Sequence, residues 1–141
     1  MNTAVKTDNI SKTYPGVLAN SNVSITINAS SIHAVVGENG AGKSTLMKIL
    51  YGMIKPDSGN IEIFNNSASI SSPKEAINLG IGMVHQHFML AKNLTVLENI
   101  ILGIDRASLK NLGLSKYKKQ IQEVMKTYSL DIDLNLSLIH I

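Results

Sequence analysis

Ser31-Ile32-His33-Ala34-Val35-Val36 runs straight into Gly37-Glu38-Asn39-Gly40-Ala41-Gly42-Lys43-Ser44-Thr45. Leu46, Met47, Ile49, Leu50, Met53 and Ile54 follow at helical spacing, and Pro56 lies beyond the helix end. The first segment reads as a buried parallel strand, because its apolar run has no polar alternation beyond His33. The second fits G-x-x-x-x-G-K-[S/T], the pattern of a loop that wraps the phosphates of a nucleoside triphosphate. Its glycines let the backbone curl so that successive N–H groups face inward around an anion. Lys43 can set an ammonium on the terminal phosphates, and the Ser44 hydroxyl can ligate Mg²⁺. The helix that starts here turns its positive end to the same charge, worth about 0.3–1 kcal/mol per anionic contact. Strand, loop and helix stand in the order a phosphate cradle needs, which makes a ligand-free glycine turn the weaker alternative.

Working outward, Val5 to Tyr14 reads as a strand closed by the turn residues Pro15 and Gly16. Val23, Ile25 and Ile27 alternate with Ser24, Thr26 and Asn28, the period-two pattern of a half-buried antiparallel strand. Asp57-Ser58-Gly59-Asn60 is a turn, and Ile61, Ile63 and Asn65 continue as a short strand. Ser72 caps a helix with Pro73 at its first position, and Gly80 ends it. Ile81 to Val84 then reads as a second buried strand. Thr95 caps a further helix with Glu98 at capping-box spacing. Ser115 opens the last helix, which is lined on one face by Tyr117, Ile121, Val124, Met125 and Tyr128.

The chain has 141 residues, enough for one domain burying about two-thirds of its unfolded surface. At 44% hydrophobic and 16% charged it is ordinary globular material rather than a disordered segment. Having no cysteine excludes disulfides and thiolate metal sites and agrees with a reducing compartment. Residues 1–30 lack an apolar core behind a basic start, so no signal peptide is expected, nor a bilayer-spanning run anywhere. Lys116, Lys118 and Lys119 form the one dense basic cluster, which a solvated helix face explains better than nucleic acid. His85 and His87 lack a nearby acidic or thiolate partner and are not expected to hold a metal. His33 is expected to be a neutral core histidine, and Met47, Met53, Met83 and Met89 core filler.

The segment from Gly37 to Thr45 resembles the Walker A motif of ATP-binding cassette (ABC) ATPases. Gly80-Ile81-Gly82-Met83-Val84-His85-Gln86-His87-Phe88-Met89-Leu90 resembles that family's Q-loop region, and Leu94 to Ile100 the start of its helical subdomain. Lys12-Thr13-Tyr14-Pro15-Gly16-Val17 is similar to its aromatic A-loop. The likeness covers residues 3 to about 131, and its His-Gln-His-Phe-Met-Leu wording is most like importer ATPases for simple sugars or nucleosides.

The resemblance implies an α/β fold, a P-loop NTPase core with an antiparallel β subdomain and the start of a helical subdomain. Residues 1–90 would form the core and β subdomain, and residues 91–141 the beginning of the helical part. It further implies ATP and Mg²⁺ as ligands. Gly37, Glu38, Asn39, Gly40, Ala41, Gly42, Lys43, Ser44 and Thr45 would hold the phosphates, and Tyr14 would stack on the base. Lys43 and Gln86 would serve catalysis, and Ser44 and Gln86 would ligate the metal. Base stacking of this kind is worth about 1–3 kcal/mol. The implied partners are a second ATPase subunit and a transmembrane permease, the latter through Gln86 to Leu97; no nucleic acid is expected. The implied location is the cytoplasmic face of the membrane.

The same resemblance exposes a departure. The family's Leu-Ser-Gly-Gly-Gln-like signature, acidic Walker B pair and switch histidine are not found in these residues. Without a water-activating carboxylate, a phosphate cradle binds but hardly turns over. The strands expected to flank the phosphate-loop strand are missing too, leaving apolar surface uncovered. The 141-residue chain is therefore expected to be marginally stable and to bind ATP without efficient hydrolysis. Its apolar tail, Leu134 to Ile141, is expected either to extend a helix or to lie exposed. A soluble non-transporter ABC ATPase and an unrelated P-loop kinase are the competing functions.

Overall fold

The computed structural model describes residues 2–86, 90–104 and 114–137, with only the backbone of Gly103 and Ile104. The chain divides into two compact units, one ending at Val84 and the other beginning at His85.

The first unit is built on an antiparallel sheet of β1 (Thr3–Tyr14), β2 (Val17–Asn28), β3 (Ser58–Ile63) and β4 (Asn66–Ala68). The four strands lie in the order β2-β1-β3-β4. Pro15 and Gly16 turn β1 into β2 and pair Tyr14 with Val17. The hairpin register shifts between Thr7 and Ile10, where Asn9 takes φ 53°. Buried Thr7 holds this irregularity together. Its hydroxyl donates to the Val23 carbonyl at 3.2 Å and accepts from the Ile25 N–H at 3.0 Å. β1 also pairs with β3, from Val5 opposite Ile63 to Ser11 opposite Ser58.

Helices α1 (Lys43–Leu50) and α2 (Pro73–Asn78) complete this unit. Leu46, Ile49 and Leu50 of α1 share one core with Ile10, Ile61, Ile63, Ile70 and Ala76. The helix stops at Leu50, sooner than the apolar spacing predicts. Ile54 still packs on the core from the turn that follows, whereas Met53 is exposed. α2 starts as expected: the Ser72 hydroxyl accepts from the Glu75 N–H at 3.3 Å, and Pro73 occupies the first turn.

Two expected strands are absent. Residues 31–36 and 81–84 form no ladder with any described strand. Ile32, Val36 and Val84 are almost fully exposed, and His33 is exposed rather than a core histidine. The physical reason is the sheet that did form. It runs β2-β1-β3-β4 with every pair antiparallel, and neither segment has a hydrogen-bonded strand beside it among the described residues. An apolar run reports that a segment suits burial on both faces, not that a partner strand stands beside it.

The second unit consists of α3 (Val96–Ile104), α4 (Leu114–Thr127) and the chain following them. Thr95 and Glu98 form the expected capping box. The Glu98 carboxylate accepts from the Thr95 N–H at 2.8 Å, and the Thr95 hydroxyl accepts from the Glu98 N–H at 3.2 Å. Leu97, Ile101 and Leu134 are its buried centre, flanked by Tyr117, Ile121 and Met125 of α4. Val124 and Tyr128, expected on the same apolar face, are exposed. Residues 134–137 neither extend a helix nor hang free. The Val96 and Leu97 N–H groups donate to the carbonyls of Leu136 and Leu134, each at 3.0 Å, so this stretch satisfies the start of α3. Met89, His87 and residues 138–141 lie outside the described residues. Among the described residues no helix is long and apolar enough to cross a membrane.

Candidate nucleotide site

Tyr14, Val17 and Ala19 of the β1–β2 hairpin and residues 39–45 line one cleft of about 330 Å³. The hairpin brings the expected aromatic to the expected loop, with 24 residues of sequence between Tyr14 and Asn39. Gly37 and Glu38 do not line that cleft, but they are tied to it through Lys43. The Lys43 Nζ donates to the carbonyls of Gly37 at 2.6 Å and Glu38 at 2.7 Å, folding its ammonium back over the loop. An ammonium carries three donors, so one remains.

The loop is shaped by two glycines in the left-handed region, Gly40 at φ 86° and Gly42 at φ 84°. Gly42 is also the N-cap of α1, and no side chain caps it. The first intrahelical bond runs from the Leu46 N–H to the Gly42 carbonyl at 3.0 Å, so the three N–H groups before it find no acceptor within the helix. No acidic residue stands in the first turn. By contrast, α2 and α3 both begin with a hydroxyl cap and a glutamate. The start of α1 is therefore left positive and accessible, with the exposed Ser44 beside Lys43.

Two supports of this site carry no obvious sequence signal. Asn20 of β2 is buried, and its Nδ2 donates to the Gly42 carbonyl at 3.3 Å while its Oδ1 finds no partner. Asp57, read from sequence only as a turn residue, bonds Lys12 at 2.6 Å and the Thr13 N–H at 2.7 Å, next to Tyr14. The hydrogen bond from Lys12, then that from Thr13, hold the Asp57 carboxyl below the usual carboxylate range.

Gln86 belongs to the second unit, in a bend with its side chain exposed. His85 is half-buried, and among the described residues no cluster of His, Cys, Asp or Glu could hold a metal ion.

Residues 20–138 match the family model described as ABC transporter. The chain belongs to the ABC transporter family. It is 44% identical over 124 residues to the guanosine import ATP-binding protein NupO of Bacillus subtilis, covering 88% of this chain and 24% of that protein. It is 40% identical over 159 residues to the glucose import ATP-binding protein TsgD13 of Haloferax volcanii, covering 93% of this chain and 29% of that protein. The ABC fold is matched by the crystal structure of a nucleotide-free ATP-binding cassette from an ABC transporter. That match has a TM-score of 0.78 at 27% identity, over 99% of this chain and 59% of that one. The chain thus spans about a quarter of the length of the curated ABC relatives it matches. The mixed α/β architecture and the ABC resemblance expected from the sequence both hold.

Proposed function

We propose that this ABC chain binds ATP in the cleft between Tyr14 and the loop Gly37 to Thr45, as the nucleotide-binding part of an ATPase that powers solute import. The observation that carries this is the start of α1: an uncapped helix N-terminus with no acidic residue in its first turn, inside a glycine-shaped loop with Lys43 folded over it. Such a cradle suits polyphosphate, and the donor set fits the ligand. Backbone N–H groups and the Lys43 ammonium would take the phosphate oxygens, and the Tyr14 ring would stack on the base. The Ser44 hydroxyl would ligate Mg²⁺, which offsets phosphate charge when bound, and the Gln86 amide oxygen is of the donor type that metal takes. The Gln86 NH₂ would orient the attacking water. The curated relatives' roles in guanosine and glucose import support a nucleoside or sugar as the transported solute. A transmembrane permease meeting Gln86 to Leu97, a second ATPase subunit, and a place on the cytoplasmic membrane face complete the proposal.

Lys43→Ala tests the site. Losing a charge-assisted contact worth about 1.5–3 kcal/mol weakens ATP binding roughly ten- to hundredfold by titration calorimetry. Equal affinity in the variant refutes the role given to Lys43.

A further inference from the structure

Tyr14 is the last residue of β1, where a strand would be expected to fray. On one side the strand stays paired to its end through a register shift at Lys12/Thr13, with Lys12 opposite Asn20, Thr13 opposite Leu18 and Tyr14 opposite Val17. On the other side the ladder to β3 ends at Ser11 opposite Ser58. Asp57, the residue before β3, carries the edge further. Its N–H donates to the Ser11 carbonyl at 2.9 Å, and its carboxylate accepts from the Thr13 N–H at 2.7 Å, in place of a missing strand carbonyl. The other carboxylate oxygen accepts from Lys12 at 2.6 Å, and the Lys12 Nζ stands 6.0 Å from the centroid of the Tyr14 ring. That is within cation–π reach. The Lys12 side chain is only 17% exposed, so the ammonium is held rather than waving in solvent.

We propose that Asp57 is a positioning residue for the nucleotide base, fixing strand end and ammonium together and thereby the Tyr14 ring. This rests on the reading that Tyr14 stacks on the base. With the Asp57 side chain 46% exposed, the ion pair itself contributes little to stability. The effect of Asp57 therefore falls on the base contact rather than on folding or on the phosphate loop.

The test compares calorimetric titrations of ATP and of inorganic tripolyphosphate, which carries the phosphates without the base. Asp57→Ala should weaken ATP by roughly three- to tenfold, part of what a stacking contact supplies, and leave tripolyphosphate unchanged. Asp57→Asn, which keeps an acceptor for the Thr13 N–H but loses the charge, should show a smaller loss in ATP alone. In a Tyr14→Ala background, Asp57→Ala should add nothing further, because both variants remove one platform. An equal loss of ATP and tripolyphosphate in Asp57→Asn overturns the inference, as does unchanged ATP affinity in Asp57→Ala. If Tyr14→Ala alone leaves ATP affinity unchanged, the stacking reading itself fails, and the inference with it.

Discussion

The loop holds three glycines, Gly37, Gly40 and Gly42, and the structure makes them unequal. A Cβ built on Gly42 would overlap the Ala19 carbonyl oxygen and stand 2.8 Å from the Asn20 Nδ2. The first of these is backbone of β2, between Leu18 and Asn20, which pair with Thr13 and Lys12 of β1, so it cannot step aside as a side-chain tip would. Gly42 also sits at φ 84°, where an L-residue costs about 1–2 kcal/mol. Overpacking adds about 1–3 kcal/mol, and the stiffer unfolded chain returns about 0.4–1 kcal/mol. Gly42→Ala should therefore destabilise by about 2–4 kcal/mol, a large part of a domain's whole stability. Gly40 shares the backbone conformation, at φ 86°, but its Cβ would meet nothing within 4 Å. Only the conformational term applies, and Gly40→Ala should cost about 0.5–1 kcal/mol. Gly37 lies outside the left-handed region, and its Cβ would make an ordinary contact with the Ala41 Cβ at 3.4 Å. Gly37→Ala should be neutral or slightly stabilising. Urea unfolding of the three variants with a common m-value gives the ranking. A Gly40→Ala loss as large as that of Gly42→Ala would refute the steric argument, because the two differ only in what surrounds them.

Ile49 of α1 is fully buried in the core of the first unit, so Ile49→Ala should cost about 2–5 kcal/mol in the same unfolding experiment; a loss below about 1 kcal/mol would mean that α1 does not pack as described. The Glu98 carboxyl is held below the usual glutamate range, first by the Thr95 N–H and then by the Thr95 hydroxyl. A lowered folded-state value makes this contribution complete above the ordinary range and loses it as pH falls through the lowered value, below about pH 4. Glu98→Gln should therefore lose less stability between neutral pH and that window than the parent does, measured as the shift in urea midpoint. Parallel losses would show that the capping box is not titrating there.

What could be read in advance was whatever is decided within a few residues. Ser72-Pro73 and Thr95-x-x-Glu98 announce their helices because the cap and the N–H it satisfies are neighbours. The alternation of Val23, Ile25 and Ile27 likewise found its strand, with Val23 and Ile25 packed against the core. β4, three residues long, gives periodicity too little length to act on. The contacts of Asp57 with Lys12 and of Asn20 with Gly42 depend on register across strands, and no local pattern encodes register. The segments 31–36 and 81–84 failed for a related reason. Their composition describes a suitable environment, and a strand exists only where a neighbour supplies its hydrogen bonds.

The same capping grammar sets the start of α1 apart from the other helix starts. Two helices here begin with a hydroxyl acceptor and a carboxylate, which answer the free N–H groups and the positive end of the dipole. α1 begins Gly42-Lys43-Ser44-Thr45, with no side chain capping it and a cation at its first position. Judged as a helix alone this is a poor start, because a lysine at the N-terminus opposes the dipole and the first N–H groups are left over. Gly42 worsens it further, since only glycine tolerates both the backbone angle and the nearness of the Ala19 carbonyl. A sequence that caps α2 and α3 well and α1 badly has a local conflict at one place, and such conflicts concentrate where a site must bind something. The deficit has a definite sign: unpaired donors, a positive helix end and an ammonium all ask for the same thing, an anion with several oxygens. On the function proposed above, the polyphosphate of ATP would supply it and complete the helix start.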